Sequence, residues 1–96
     1  MNERQVLKIA KVLSDGTRLR LLREITESGE ISCGELANRF PVAQPTVSHH
    51  LKVLEDAGLV AARREGQFNY YRPVAARLDA FRIALGAKFS LPAPAN

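Results

Sequence analysis

Two adjacent histidines, His49 and His50, stand in the segment QPTVSHHLKVLEDAGLV, residues 44–60. Histidines serve in proteins as metal ligands, as proton carriers in catalysis, or as polar contacts to a larger partner. The segment has a helical pattern, in which neighbouring side chains point about 100° apart. Two histidines that hold one metal on a helix stand one turn apart instead. The pair therefore does not predict a metal site, and we expect no cofactor.

The helical pattern divides this segment into an inner and an outer face. Val47, Leu51 and Leu54 recur at the spacing of one buried face. His50 borders that face, where we expect a half-buried imidazole that is hydrogen-bonded to a backbone carbonyl. The outer face starts with small polar side chains, and residues 41–54 contain no acidic residue.

This outer face has the composition of a surface that enters the major groove of DNA. Small side chains let the backbone approach the bases, glutamine pairs with adenine edges, and hydroxyls donate to bases or phosphates. The start of the helix also presents free N–H groups and the positive end of the helix dipole. The residues predicted to contact DNA here are Gln44, Pro45, Thr46, Ser48, His49 and Lys52.

Two helices are predicted at the start of the chain. Residues 3–13 carry apolar side chains at helical spacing. Asp15 is a good cap for a second helix, because its carboxylate accepts a hydrogen bond from a free N–H of the first turn. That helix is expected to end near Gly29. Its predicted inward residues are Leu19, Leu22 and Ile25.

A third helix and the His-containing helix form the next pair. Ser32 and Glu35 have the spacing of a capping box at the start of a short third helix. Pro45 suits the first turn of the fourth helix, and Gly58 is a natural stop after it. Two short helices joined by a tight turn are the layout of a helix-turn-helix.

After Gly58 the pattern changes from that of a helix to that of strands. Residues 59–64 and 68–72 are strand-like, and Gly66 permits a tight turn between them. Tyr70 and Tyr71 alternate faces of the second strand, so one of them is expected in the core. A hairpin directly after a helix-turn-helix makes a winged helix. Its tip is predicted to reach phosphates or the minor groove through Arg63, Arg64, Gln67 and Asn69.

A last helix is predicted over residues 74–88, so the fold class is mainly α with a small β-hairpin, in the order α-α-α-α-β-β-α. The first and last helices carry more apolar surface than so small a core absorbs, which predicts a homodimer through both. The residues predicted at this interface are Val6, Leu7, Ala10, Leu78, Phe81 and Leu85. We expect one domain over residues 1–89 and a disordered tail over 90–96.

The bulk composition agrees with this interpretation. The chain has 96 residues, which is the length of one domain. Its formal charge of +4 favours a polyanionic partner. It has one cysteine, so it forms no internal disulfide. No apolar run approaches the about 18 residues of a membrane span, and no signal pattern opens the chain, so we expect a cytoplasmic protein without a membrane partner. Phosphate-binding loops, nucleophile elbows and paired catalytic carboxylates are missing from the sequence, so we expect no enzyme.

The chain resembles the ArsR-type winged-helix transcriptional repressors over about residues 5–88. The similarity lies in the segments SDGTRLRLL (14–22), ELANRF (35–40), AQPTVSHHLKVLEDAGLV (43–60) and RREGQFNYYR (63–72). The resemblance implies a symmetric homodimer that binds an imperfect inverted repeat, in its own promoter region, through the fourth helix and the wing. It also implies release from DNA when an effector favours another dimer shape.

The chain departs from the metal-sensing members of that family. Their thiol-rich box corresponds to EISCGEL (30–36), where Ser32 and Gly34 stand at the cysteine positions. The acidic and histidine ligands of their last helix are reduced to Asp79. We therefore expect a non-metal or unknown inducer. The alternatives left open are a redox-responsive repressor acting through Cys33, and a winged helix that docks proteins without binding DNA.

Overall fold

The computed structural model describes residues 1–90, so the predicted tail lies, from residue 91 onward, outside the described residues. The elements in chain order are α1 (Glu3–Leu13), α2 (Gly16–Ser28), β1 (Ile31–Ser32), α3 (Cys33–Arg39), α4 (Gln44–Asp56), β2 (Val60–Glu65), β3 (Phe68–Pro73) and α5 (Ala75–Gly86). This order confirms the predicted fold class and adds one short strand. None of the helices in residues 1–90 is both long and apolar enough to cross a membrane.

Side-chain caps fix the starts of α2 and α3. The Arg18 N–H donates to Asp15 Oδ1 at 3.0 Å, and the Glu35 N–H donates to Ser32 Oγ at 3.1 Å. These bonds satisfy N–H groups that have no partner within the helix. The predicted capping box would turn the Glu35 carboxylate back toward the cap, but that carboxylate accepts from Arg39 at 2.8 Å instead.

The cap of α2 predicts a pH-dependent stability. The pKa of Asp15 is lowered from its ordinary value of 3.8, mainly because the Arg18 N–H donates to the carboxylate. Since folding lowers this pKa, the charged carboxylate stabilises the folded chain fully above the ordinary value, and that contribution is lost as the pH falls through the lowered one. Asp15→Asn keeps an acceptor and removes the charge. We expect a lower urea midpoint than wild type at neutral pH, and a difference that shrinks in acid; a difference that grows in acid would contradict this reasoning.

The boundaries of α4 follow the predicted pattern. Ala43 occupies its N-cap and makes no side-chain cap, while Pro45 lies in the first turn, where the missing proline N–H costs nothing. The helix ends at Asp56, and Gly58 adopts a φ of 78° that lets the chain turn toward β2. The start of α4 is therefore not covered by a capping side chain of its own.

The strands form one antiparallel sheet in the order β1-β3-β2. Within the hairpin, Arg63 lies opposite Tyr70 and Arg64 lies opposite Asn69. β1 was not predicted from the sequence; it pairs Ile31 with Tyr71 and thereby ties the start of α3 to the wing. As expected, one of the two neighbouring tyrosines, Tyr71, packs against the core, and this burial raises its pKa.

The core lies where α2, α3, α4 and the hairpin meet. α2 packs against both α1 and α4, and α1 also packs against α5. Leu51 and Leu54 of α4 are fully buried, as predicted. The inward face of α2 differs from the prediction by one position, because Leu21 is fully buried while Leu19 remains 43% exposed.

Leu36 tests this core most simply, because its side chain is fully buried at the centre of α3. We expect Leu36→Ala to lower the free energy of unfolding by about 2–5 kcal/mol, through lost burial and the cavity left behind. Asn38→Ala, on the exposed side of the same helix, is the control and should change it by less than about 0.5 kcal/mol. Urea denaturation measures both, and equal effects would contradict the assignment of this core.

Candidate nucleic-acid interface

The outer face of α4 is open to solvent from its first residue. Val47 and Leu51 hold the opposite face in the core with no exposed surface. The predicted contact residues of this helix all lie on the exposed side: Gln44, Pro45, Thr46, Ser48, His49 and Lys52. The structure therefore places small polar side chains, an imidazole and an amine along one exposed face of α4.

Lys52 ends this polar face and is paired within its own helix. Its Nζ lies 3.1 Å from Asp56 Oδ1, one turn further on, and this carboxylate raises the pKa of the lysine. Both side chains are exposed, and exposed pairs of this kind hold together only weakly. The ammonium can therefore leave Asp56 for a phosphate of a bound nucleic acid.

His50 is half-buried, as predicted, but its partner differs from the expected backbone carbonyl. Its Nδ1 lies 3.3 Å from Arg18 Nη1, a side chain of α2 that stands 32 positions earlier in the chain. The same guanidinium donates through Nε to the Val12 carbonyl oxygen, at 2.8 Å. The side chain of Arg18 thus joins the end of α1 to the middle of α4.

An open groove separates α4 from the wing. Its volume is about 440 Å³, and it lies between the start of α3, the outer face of α4 and the tip of the hairpin. The groove is lined by Ser32, Cys33, Gly34, Gln44, Ser48, Gln67, Phe68 and Asn69. Residues that were predicted separately from the helix and from the wing therefore line one groove, and all of its lining side chains are uncharged.

Cys33 lies at the edge of this groove and is the first residue of α3. Its side chain is nearly buried, with 9% of the residue exposed. Its Sγ lies 3.4 Å from Ser48 Oγ, so the thiol and a predicted DNA-contacting hydroxyl touch each other.

The two arginines of β2 lie on opposite faces of the hairpin, because successive side chains of a strand alternate. Arg63 donates to Glu30 at 2.7 Å and to Glu65 at 2.6 Å, and its guanidinium covers the Tyr70 ring at 4.7 Å. The hydrogen bond from Arg63 lowers the pKa of Glu30. On the other face, Arg64 makes a long hydrogen bond of 3.4 Å to the Gly66 carbonyl oxygen.

The groove lies at the tip of the hairpin and is lined from both of its faces, by Phe68 on the face of Arg63 and by Asn69 on the face of Arg64. Asn69, which pairs directly with Arg64, lines the groove, and directly paired residues share a face. Arg63 is turned toward the segment that joins α2 to β1, where Glu30 holds it. Gln67 and Asn69 thus lie beside α4 in this groove, with Arg64 next to Asn69 on the neighbouring strand, while Glu30 and Glu65 hold the Arg63 side chain.

Three contacts near the interface were missed from the sequence. These are Arg18 with His50, Cys33 with Ser48, and Glu30 with Arg63. Each joins residues at least 15 positions apart in the chain, so no local sequence pattern predicts the contact. Within residues 1–90, no group of three or more His, Cys, Asp or Glu side chains is placed to hold a metal ion.

Comparison with known proteins agrees with this geometry. A family described as "Helix-turn-helix domain" matches residues 13–63. The arsenical resistance operon repressor of Staphylococcus aureus is 38% identical over 79 residues, which span 82% of this chain and 75% of that protein. An ArsR-like transcriptional regulator from Rhodococcus sp. RHA1 superposes with a TM-score of 0.78 at 29% identity, over 88% of this chain and 79% of its own.

A further similar structure is described as homodimeric. It is the winged helix-turn-helix DNA-binding domain Mb0332 (fragment 1–100) of Mycobacterium bovis, a possible ArsR-family regulator, with a TM-score of 0.73 at 30% identity over 97% of this chain and 87% of its own. Fold, exposed helix and wing together define a DNA-binding transcriptional regulator of the winged helix-turn-helix class. The chain belongs to the ArsR family of these regulators.

Proposed function

We propose that this protein is a homodimeric repressor which binds an inverted-repeat operator, including one in its own promoter, and which releases it in response to a signal other than a bound metal. The observation that carries this proposal is the exposed start of α4, free of acidic residues and facing the wing across an open groove. A helix of this composition fits the major groove of DNA.

The contacts of α4 divide by chemistry. Gln44 can pair with an adenine edge, Ser48 lies one turn further along the same side of the helix, and His49 lies one turn after Pro45; both can contact neighbouring bases. Thr46 and Lys52 suit phosphate oxygens, which fix the register of the protein on the duplex without reading sequence. Pro45 contributes a compact surface that lets the helix start come close to the DNA.

The wing supplies the second contact through Arg64, Gln67 and Asn69. Their exposed or half-exposed side chains lie near the turn of the hairpin and beside the groove. Arg63 was predicted to contact DNA as well. We propose that it braces the wing instead, because two carboxylates and the Tyr70 ring already hold its guanidinium.

The dimer interface is proposed on α1 and α5, which pack against each other within one chain. Leu7 is 62% exposed and Ile83 is 67% exposed. Both apolar side chains are therefore free to pack against a second protomer. Val6 was predicted at this interface, but it is 2% exposed and belongs to the interior of its own protomer. Leu78 and Phe81 are half-buried against that interior, and Ala10 and Leu85 border the proposed contact.

The inducing signal is proposed not to be arsenite, although one relative is named an arsenical resistance operon repressor. Arsenite and similar soft ions need two or three thiolates, and the sequence has one cysteine. The redox alternative through Cys33 retains one observation in its favour, the contact between its Sγ and Ser48 Oγ. DNA affinity that peroxide treatment leaves unchanged would remove that alternative.

Selection of bound duplexes from a random pool tests the proposed function. A two-fold dimer places its recognition helices about one DNA turn apart, so the selected sequences should contain an inverted repeat with half-site centres about 10 base pairs apart. Transcription in vitro from a promoter that overlaps the selected site should then fall as protein is added. A single unrepeated motif would contradict the dimer, and increased transcription would contradict repression.

A further inference from the structure

Arg18 of α2 makes three hydrogen bonds, two of which join α2 to other helices. Its backbone N–H donates to the cap Asp15, its Nε donates to the Val12 carbonyl oxygen at 2.8 Å, and its Nη1 lies 3.3 Å from His50 Nδ1. All three contacts are partly buried. Val12 belongs to the last turn of α1, Arg18 itself to α2, and His50 to α4.

The two side-chain contacts have clear chemical requirements. The Val12 carbonyl lies in the last turn of α1, where carbonyl groups lack a partner within the helix and favour a positive charge. A guanidinium carries only donors, so His50 Nδ1 must accept with its lone pair. The planar fork of arginine can serve both acceptors at once, whereas a lysine ammonium is a compact point charge on a flexible chain.

These contacts matter because of the roles proposed for the two helices that they join, α1 and α4. α4 carries the proposed base contacts, and α1 carries the proposed dimer contact. α2 packs against both α1 and α4, so the contacts that α2 makes with these two helices fix the angle between α1 and α4. On a two-fold operator, that angle decides whether both recognition helices reach their half-sites together.

We propose that Arg18 is a positioning residue, which fixes the recognition helix relative to the dimerisation helix by holding the Val12 carbonyl and the His50 imidazole at the same time. The proposal rests on the proposed function, since it needs a dimer on an inverted repeat. Arg18 then determines which distance between half-sites the dimer prefers. It does not affect the base contacts that a single protomer makes.

The test compares DNA probes that differ only in half-site arrangement. Three duplexes are made from the selected operator: the intact repeat, the repeat with two base pairs inserted between half-sites, and one intact half-site beside scrambled sequence. Fluorescence anisotropy gives the affinity for each. Wild type should prefer the intact repeat over the spaced one by at least about 30-fold, because two linked contacts reinforce each other only when both fit.

Arg18→Lys should lose about tenfold on the intact repeat, keep its half-site affinity within about twofold, and reduce the spacing preference to about threefold or less. Arg20→Lys, the same change at an exposed position of α2, is the matched control and should behave as wild type. Thermal unfolding and light scattering establish that each variant is folded and dimeric.

Two variants at His50 extend the test from the other side of the contact. His50→Asn can place an oxygen acceptor where Nδ1 lies, so it should keep the spacing preference. His50→Leu removes the acceptor, so it should lose the preference as Arg18→Lys does. If Arg18 and His50 served stability alone, their variants would have a lower melting temperature but would keep the spacing preference of the wild type.

Equal losses on the intact repeat and on the half-site would overturn the proposal, because Arg18 would then act within one protomer. A wild-type spacing preference in both Arg18→Lys and His50→Leu would overturn it too. If wild type itself bound the half-site as tightly as the repeat, the dimeric function and this inference would both fall.

Discussion

His49→Ala is expected to weaken binding to the selected operator by about 1–3 kcal/mol, and Ser48→Ala by a similar amount. Both side chains are exposed on the outer face of α4, at the end where no acidic residue repels DNA. Each replacement removes polar groups that we propose to read base edges, while the backbone and the buried face of the helix stay as they are. Fluorescence anisotropy with the selected duplex and with an unrelated duplex measures the effect.

The unrelated duplex separates lost recognition from lost charge. Because phosphate contacts act on every sequence alike, the affinity for unrelated DNA should change little in either variant. Ser90→Ala makes the same chemical change as Ser48→Ala at an exposed position far along the chain, after α5, and should have no effect on either duplex. Wild-type affinity for the operator in both α4 variants would show that another surface reads the sequence.

Leu7→Glu combined with Ile83→Glu is expected to turn the dimer into a monomer at micromolar concentration. The two side chains are 62% and 67% exposed in the single chain, so charged replacements leave the protomer core unstrained. In the proposed dimer, the same charges would lie in an apolar contact, where an unpaired carboxylate is strongly disfavoured. Operator affinity should fall by at least about tenfold, since one protomer then binds one half-site alone.

Light scattering gives the mass, and thermal unfolding shows whether the protomer remains folded. Thr26→Glu on α2 adds a carboxylate at an exposed position outside the two terminal helices and should leave the dimer intact. A double variant that remains dimeric would place the interface elsewhere. Leu78 and Phe81 are poorer choices for this test, because they also pack against the core of their own protomer.

The sequence predicts the helices well because their ends carry chemical signals. Asp15 and Ser32 cap helices where expected, and Gly58 adopts the positive φ that ends α4. The inward face of α2 was less determined, since Leu19 with Leu22 fits helical spacing as well as Leu21 with Ile25 does. Only the packing of the other elements makes Leu21 the buried residue.

Two features that the sequence did not indicate form between distant segments. β1 has two residues, too few for any periodic pattern, and exists because Ile31 meets Tyr71 of the hairpin. The partner of His50 is an arginine 32 positions away, and nothing in the sequence around the histidine indicates it. The outer face of α4 was easier to predict, because the three buried positions of its inner face fix the direction of every other side chain.

The central claim is that DNA meets this protein at the start of α4 and at the wing. Backbone amide shifts in a two-dimensional NMR titration with the selected duplex test it most directly. We expect the largest changes over residues 44–49 and 64–69, at one operator per dimer, with smaller changes when unrelated DNA is added. Changes concentrated on the exposed faces of α1 and α5, with residues 44–49 unaffected, would contradict the account.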